Sequence, residues 1–227
     1  LKSRDGMVGM KGDMGGGAAV IGAMRIIAKL DVPLHVVGLV PASDNMVSSK
    51  AYRPQEVLTA SNGKTIEIIS TDAEGRLLLA DALVYAQRYK PDAVVDIATL
   101  TGSIAVALGR AAAGVYSNSD KIVAGLDKAG ATTHERIWRM PIFEEYGKPL
   151  ESDTADTKNS GGAEGRFGGA GVAAVFLSHF VDFDWAHIDM AGMLRNDGSN
   201  PYAPKHSTIG YGARLLAEFV REWSEES

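Results

Sequence analysis

Apolar and polar positions change period several times along this chain, and each change marks an element. Residues 18–30 follow Met14-Gly15-Gly16-Gly17 as a small-residue stretch at helical spacing, predicting a helix that packs closely on a neighbour. Residues 34–40, LHVVGLV, form a continuous apolar run after Pro33, the signature of a buried strand. A loop over 41–54 follows, then the turn signal Ser61-Asn62-Gly63-Lys64. Alternation over 65–70 predicts a strand, and helical spacing over 77–89 a helix ending at Lys90-Pro91. Residues 93–98 and 111–117 predict further buried strands, with a loop over 99–103 between them and a helix over 120–132 after them. The stretch 149–171 is too rich in glycine for regular structure. A helix over 168–180, a strand over 184–190, a loop over 196–204 and a helix over 208–223 complete the pass, while 1–13 reads as a polar loop.

Strands alternate with helices, and the strand runs are apolar on both faces. This predicts an α/β fold with a mixed, mostly parallel central sheet sandwiched between helices. No internal repeat or interdomain linker is visible, so 1–227 reads as one domain. In such sheets ligands bind at the carboxyl ends of the strands. Segments 41–46, 70–76, 99–103 and 190–195 fall there.

Composition narrows the chemistry. The chain has 227 residues, 45% hydrophobic and 22% charged, enough for a substantial core, and no apolar run that spans a bilayer. A net charge of -5 argues against a general nucleic-acid or membrane-surface binder. Without cysteine there is no disulfide, thiolate nucleophile or thiolate metal site, which is compatible with the cytoplasm.

The most concentrated chemistry is Ser70-Thr71-Asp72-Ala73-Glu74-Gly75-Arg76-Leu77, at a strand-to-helix junction. Side chains two apart in an extended turn share a face, so Asp72 and Glu74 can converge. Converging carboxylates need a cation, supplied by Arg76 or by a metal. The plainer reading is an acidic first helical turn. Asp13, in Lys11-Gly12-Asp13-Met14-Gly15-Gly16, admits the same two readings, but a cap leaves its glycines unexplained. Oxygen-only sites suit Mg, Mn or Zn. His35, His134, His179, His187 and His206 are isolated, with no H-E-x-x-H, and His187 reads as a structural strand residue. No G-x-S-x-G elbow occurs, and the glycine runs match neither phosphate-loop nor dinucleotide patterns.

The 70–77 octet closely resembles the N-T-D-A-E-G-R-L signature of the leucyl (cytosol) aminopeptidases, a family of dinuclear-metal peptidases. Residues 11–16 resemble its K-x-D-M-G-G, 44–46 its E-N-M, 99–102 its T-L-T-G and 185–192 its W-A-H-x-D-x-A-G. The resemblance implies Asp13, Asp72 and Glu74 as ligands of two divalent ions (Zn or Mn, with Mg or Co as alternatives), Glu74 being shared. It implies Lys2 as the lysine that polarises the scissile carbonyl and Arg76 as the holder of a bicarbonate that acts as general base. Met10, Thr99, Gly102, Ala191 and Leu194 resemble the pocket for the first substrate side chain, and Leu100 contributes backbone contacts. A metal-dependent aminopeptidase acting on Leu-like N-termini of peptides, assembled as a cytoplasmic homo-hexamer, is the implied whole.

Departures from the pattern also matter. Ser70 and Asp44 stand where the family carries Asn and Glu. Its pattern adds a lysine and an aspartate ahead of Leu1-Lys2, and an N-terminal domain before them; the expectation is that Leu1 continues a longer polypeptide. Without those two ligands, a non-catalytic fragment or oligomeric scaffold is the competing reading.

Overall fold

The computed structural model describes residues 2, 4–196, 198, 201, 203–205 and 207–226; Leu1, Ser3, His206 and part of the expected 196–204 loop lie outside these. The helices are α1 (Arg4–Met7), α2 (Gly15–Leu30), α3 (Gly75–Ala86), α4 (Gly102–Leu108), α5 (Asp120–Thr133), α6 (Gly169–Ser178) and α7 (Ala213–Glu226). The strands are β1 (Val57–Thr59), β2 (Thr65–Glu67), β3 (Val94–Ala98), β4 (Ala113–Ser117), β5 (Ile137–Arg139), β6 (Thr157–Lys158) and β7 (Trp185–Asp189).

The expected α/β sandwich is present, but its strands form two sheets. Four strands run in the order β3-β7-β4-β5, with β3/β7 and β4/β5 parallel and β4/β7 antiparallel. A smaller sheet, β1-β2-β6, pairs β1/β2 antiparallel and β2/β6 parallel. The larger sheet is covered on both faces. Ala19, Ile27, Ile122, Leu126, Leu215 and Phe219 bring α2, α5 and α7 onto Ile97 and Ile188. Leu83, Phe176 and Leu177 bring α3 and α6 onto Trp185, and Ile104 of α4 packs on Tyr116. Burial on both faces is why β4 and β7 are buried at every position and read as mostly apolar, with His187 and Asp189 the exceptions on β7.

The buried stripe of α2, Gly16, Ala19, Ala23 and Ile27, is spaced at three and four residues. A Cβ on Gly16 would lie 2.1 Å from the Ile97 carbonyl oxygen, so only glycine lets α2 approach β3 this closely. Three expectations fail. The glycine-rich 149–171 stretch holds β6 and a 3-10 turn at Glu164–Arg166. Residues 34–40 are extended but pair with no strand among the described residues; alternate positions are exposed, and the segment flanks a cavity that also runs along β3, an edge strand. An apolar run forms a strand only where a neighbour supplies hydrogen bonds. Residues 1–13 are not all loop, since they hold α1 and the start of a 3-10 turn at Met10–Met14.

His187 is buried on β7 beside Asp96 of β3, its ring stacked on Trp185 and Tyr116. Its Nδ1 lies 2.5 Å from Asp96 Oδ1, and Trp185 Nε1 donates to Asp96 Oδ2 at 2.7 Å. Burial lowers the imidazole's affinity for protons, but the Asp96 charge and hydrogen bond, with Asp189 behind them, raise it further. A raised folded-state value gives stabilisation that is complete below about 6.5, the unfolded value, and is lost as pH climbs through the folded one. Asp96→Asn should therefore cost ~3 kcal/mol at pH 6, with the gap to wild type narrowing towards pH 9 in guanidinium unfolding. A gap independent of pH would show His187 to be neutral throughout.

Candidate metal centre

The loop leaving β2 carries the two carboxylates, and α3 begins directly after Glu74. Neither of them caps that helix. Glu74 occupies the cap position with φ -72° and ψ -37°, and its side chain makes no capping hydrogen bond. Instead its Oε2 is buried without a partner, a costly state for a carboxylate. Asp72 is exposed and forms an ion pair with the Lys2 ammonium. Burial raises the Glu74 carboxyl above the ordinary range; its own backbone hydrogen bond opposes this, the nearby Asp13 and Asp72 charges add to it, and Lys2 partly offsets it. Residues distant in sequence thus share one electrostatic field.

Asp13 is not a cap either. The residue capping α2 is Met14, with no side-chain bond, while Asp13 sits in the preceding 3-10 turn and accepts a 2.8 Å hydrogen bond from Thr99 Oγ1. That bond ties the turn to the loop leaving β3. The carboxylates therefore lie near the carboxyl ends of β2 and β3, where an α/β sheet places its ligands. The glycines around Asp13 permit close contact here: a Cβ on Gly12 would lie 2.5 Å from Leu194 Cδ2.

Lys2, Met10, Asp13, Asp72, Glu74, Arg76, Thr99, Leu100 and Gly102 all line one cavity of about 2260 Å³. Ala191 and Leu194 lie outside its wall: Ala191 packs beside Ile104 and Tyr116, and Leu194 covers Gly12 and Gly15. Arg76 is buried and pairs with neither Asp72 nor Glu74 among the described residues. One Nη1 donates to the Asn159 carbonyl at 3.0 Å, and Nε has no partner. Burial lowers the guanidinium to about 10, against the pull of Asp189 and Glu74, which leaves it cationic at neutral pH.

The donors fit a divalent cation, being all oxygen, with one buried carboxylate oxygen left unpaired. Among the described residues, however, no three Asp, Glu or His side chains gather tightly enough to hold one ion. Like charges spread apart, and Lys2 already supplies the counter-charge to Asp72.

Two site residues escape sequence reasoning. Asp189, 1% exposed, accepts from the Leu100, Thr101 and Ala191 amides at 3.2–3.3 Å and from Thr101 Oγ1 at 2.6 Å. It thereby sets the 99–102 loop against the 191–194 turn, although the motif alone gave it no task. Asn159, fully buried behind the Asp72 loop, lies in the glycine-rich stretch that offered no pattern.

The sequence profile of the "Cytosol aminopeptidase family, catalytic domain" matches residues 1–217. The chain belongs to the cytosol aminopeptidase family. The probable cytosol aminopeptidase of Geobacter sulfurreducens is 48% identical over 222 residues, covering 97% of this chain and 44% of that protein. Its counterpart in Roseiflexus castenholzii is 47% identical, covering 99% and 46%. The chain thus spans less than half the length of these cytosol aminopeptidase relatives. Among solved structures, a tomato leucine aminopeptidase mutant superposes with TM-score 0.83 at 42% identity, covering 94% of this chain and 41% of that one. The bottromycin maturation enzyme BotP in complex with Mn gives TM-score 0.91 at 36% identity, covering 99% and 50%. Membership of the cytosol aminopeptidase family agrees with the mixed sheet between helices described above. No helix among the described residues is long and apolar enough to cross a membrane.

Proposed function

We propose that the polypeptide carrying this chain is a metal-dependent aminopeptidase, and that residues 1–227 belong to its catalytic domain. The observation that carries the reading is Glu74, a half-buried carboxylate whose Oε2 is buried and orphaned in the field of Asp13 and Asp72. In it, Asp13, Asp72 and Glu74 hold divalent ions, with Zn or Mn first and Mg or Co as alternatives; the family pattern assigns a lysine and an aspartate ahead of Lys2 to the rest of the shell. When bound, such ions would lower the pKa of a water and polarise the attacked carbonyl. Lys2 places positive charge where the oxyanion develops. Arg76, buried and still cationic, has an unpaired Nε with which to orient a bicarbonate as general base. Met10, Thr99 and Gly102, with Ala191 and Leu194 behind them, form a small or apolar pocket suited to Leu-like side chains, and the Leu100 backbone aligns the peptide. A cytoplasmic hexamer acting on peptides, not on membranes or nucleic acid, completes the reading.

The second reading, a non-catalytic scaffold, draws on the absence of a three-ligand cluster among the described residues. Peptide chemistry separates the two. With saturating Mn²⁺, the full polypeptide should release leucine from leucine amide and leave N-acetyl-leucine amide intact, because a free α-amino group is required. Failure on both substrates favours the scaffold; equal cleavage of both contradicts an aminopeptidase.

A further inference from the structure

We infer that Asn159 is the positioning residue that fixes the carboxylate-bearing loop; its consequence for metal binding rests on the proposed metal reading. Strand β6 pairs with β2 through Ile66 and Glu67, and the Asn159 amide adds one more ladder bond, 2.9 Å to the Glu67 carbonyl. There β2 ends and the loop towards Asp72 begins. The Asn159 side chain then takes over from the backbone. Its Oδ1 accepts from the Ile69 and Ser70 amides at 2.8 and 3.2 Å, and its Nδ2 donates to the Ser70 and Ala73 carbonyls at 2.7 and 3.5 Å. A carboxamide carries the donor and acceptor of a peptide unit, so it continues the ladder where no strand remains. Its bonds grip the loop on both sides of Asp72. The Asn159 carbonyl also takes the Arg76 Nη1 hydrogen bond.

One fully buried residue thus sets the approach of Asp72, the take-off of Glu74 and the seat of Arg76. It touches no cavity-lining carboxylate itself and acts through the backbone that carries them. Aspartate has the same shape but no donor, and would face the Ser70 and Ala73 carbonyls with a charged oxygen. A single-atom change can therefore undo the clamp without changing volume.

The test compares wild type with Asn159→Asp, with Asn159→Ser as a milder second variant should the first prevent folding. Glu135→Gln serves as control: Glu135 is buried and anchors α7 by accepting from the Gly212 and Leu215 amides, with its hydrogen bonds going to residues 212–215 and not to the 68–76 loop. Hydrogen exchange and Mn²⁺ calorimetry on the full polypeptide give two readouts that do not depend on turnover. The Asn159 variants should speed amide exchange across residues 68–76 and weaken Mn²⁺ binding by about 10–100-fold, the usual effect of losing a residue that orients ligands. Glu135→Gln should loosen α7 and leave Mn²⁺ binding unchanged. Wild-type protection over 68–76 in the Asn159 variants, or an equal loss of Mn²⁺ affinity in the control, would overturn the inference. If the loop loosens but wild type itself binds no Mn²⁺, the clamp stands and the metal reading falls.

Discussion

Glu74→Gln is expected to lower kcat/KM on leucine amide by about 10³-fold while leaving the metal-free protein as stable as wild type, or more so. Glutamine keeps the volume and removes the charge. A carboxylate that would hold a catalytic metal would support transition-state charge stabilisation of several kcal/mol; losing about 4 kcal/mol corresponds to roughly 10³ in rate. The stability arm runs the other way. Glu74 is already disfavoured as an anion by burial, with Asp13 and Asp72 adding repulsion, and its Oε2 has no partner. Neutralising it relieves a strain that the fold alone gives no reason to keep. Steady-state kinetics and thermal unfolding of the apo protein decide the matter. A large loss of stability with little loss of rate would make Glu74 a structural residue.

Lys2→Met should reduce kcat by about 10²–10³-fold with little change in KM, as expected for a charge used where the oxyanion forms. The alternative is that Lys2 is only the salt-bridge partner of Asp72. That pair is partly exposed, at 35% and 57% of the two side chains, so its contribution to stability is about 0–1 kcal/mol. The two roles therefore separate cleanly. A guanidinium midpoint that barely moves alongside a collapsed kcat supports the charge in catalysis. An unchanged kcat contradicts it.

Much of this architecture is legible from residue pattern because of how β3, β4 and β7 are buried. β4 and β7 are buried throughout and β3 is half-buried, so they leave mostly apolar runs between helical stretches, and the α/β sandwich follows. Short strands leave no such trace: β5 spans Ile137–Arg139 and β6 only Thr157–Lys158, too few positions to show a period. The run at 34–40 fails for the opposite reason. It is apolar enough for a strand, but strand formation depends on a hydrogen-bonding neighbour, which hydrophobicity does not encode.

The site divides along the same line. Asp72, Glu74 and Arg76 declare themselves by spacing, and Asp13 by its glycines. Asn159 and Asp189 do not, because a buried polar residue is explained by partners far away in the chain, Ser70 and Thr101 among them. Ala191 and Leu194 match by motif, yet pack behind the cavity wall and not along it.

The central claim is that the carboxylates at the ends of β2 and β3 hold the ions on which peptide-bond cleavage depends. The most direct measurement is metal content and leucine amide hydrolysis on one preparation, after chelation and again after Mn²⁺ or Zn²⁺ is restored. Bound metal and activity should vanish together, return together in wild type, and fail to return in Glu74→Gln. Full hydrolysis by the chelated, metal-free protein, or metal restored to wild type without activity, would contradict the account.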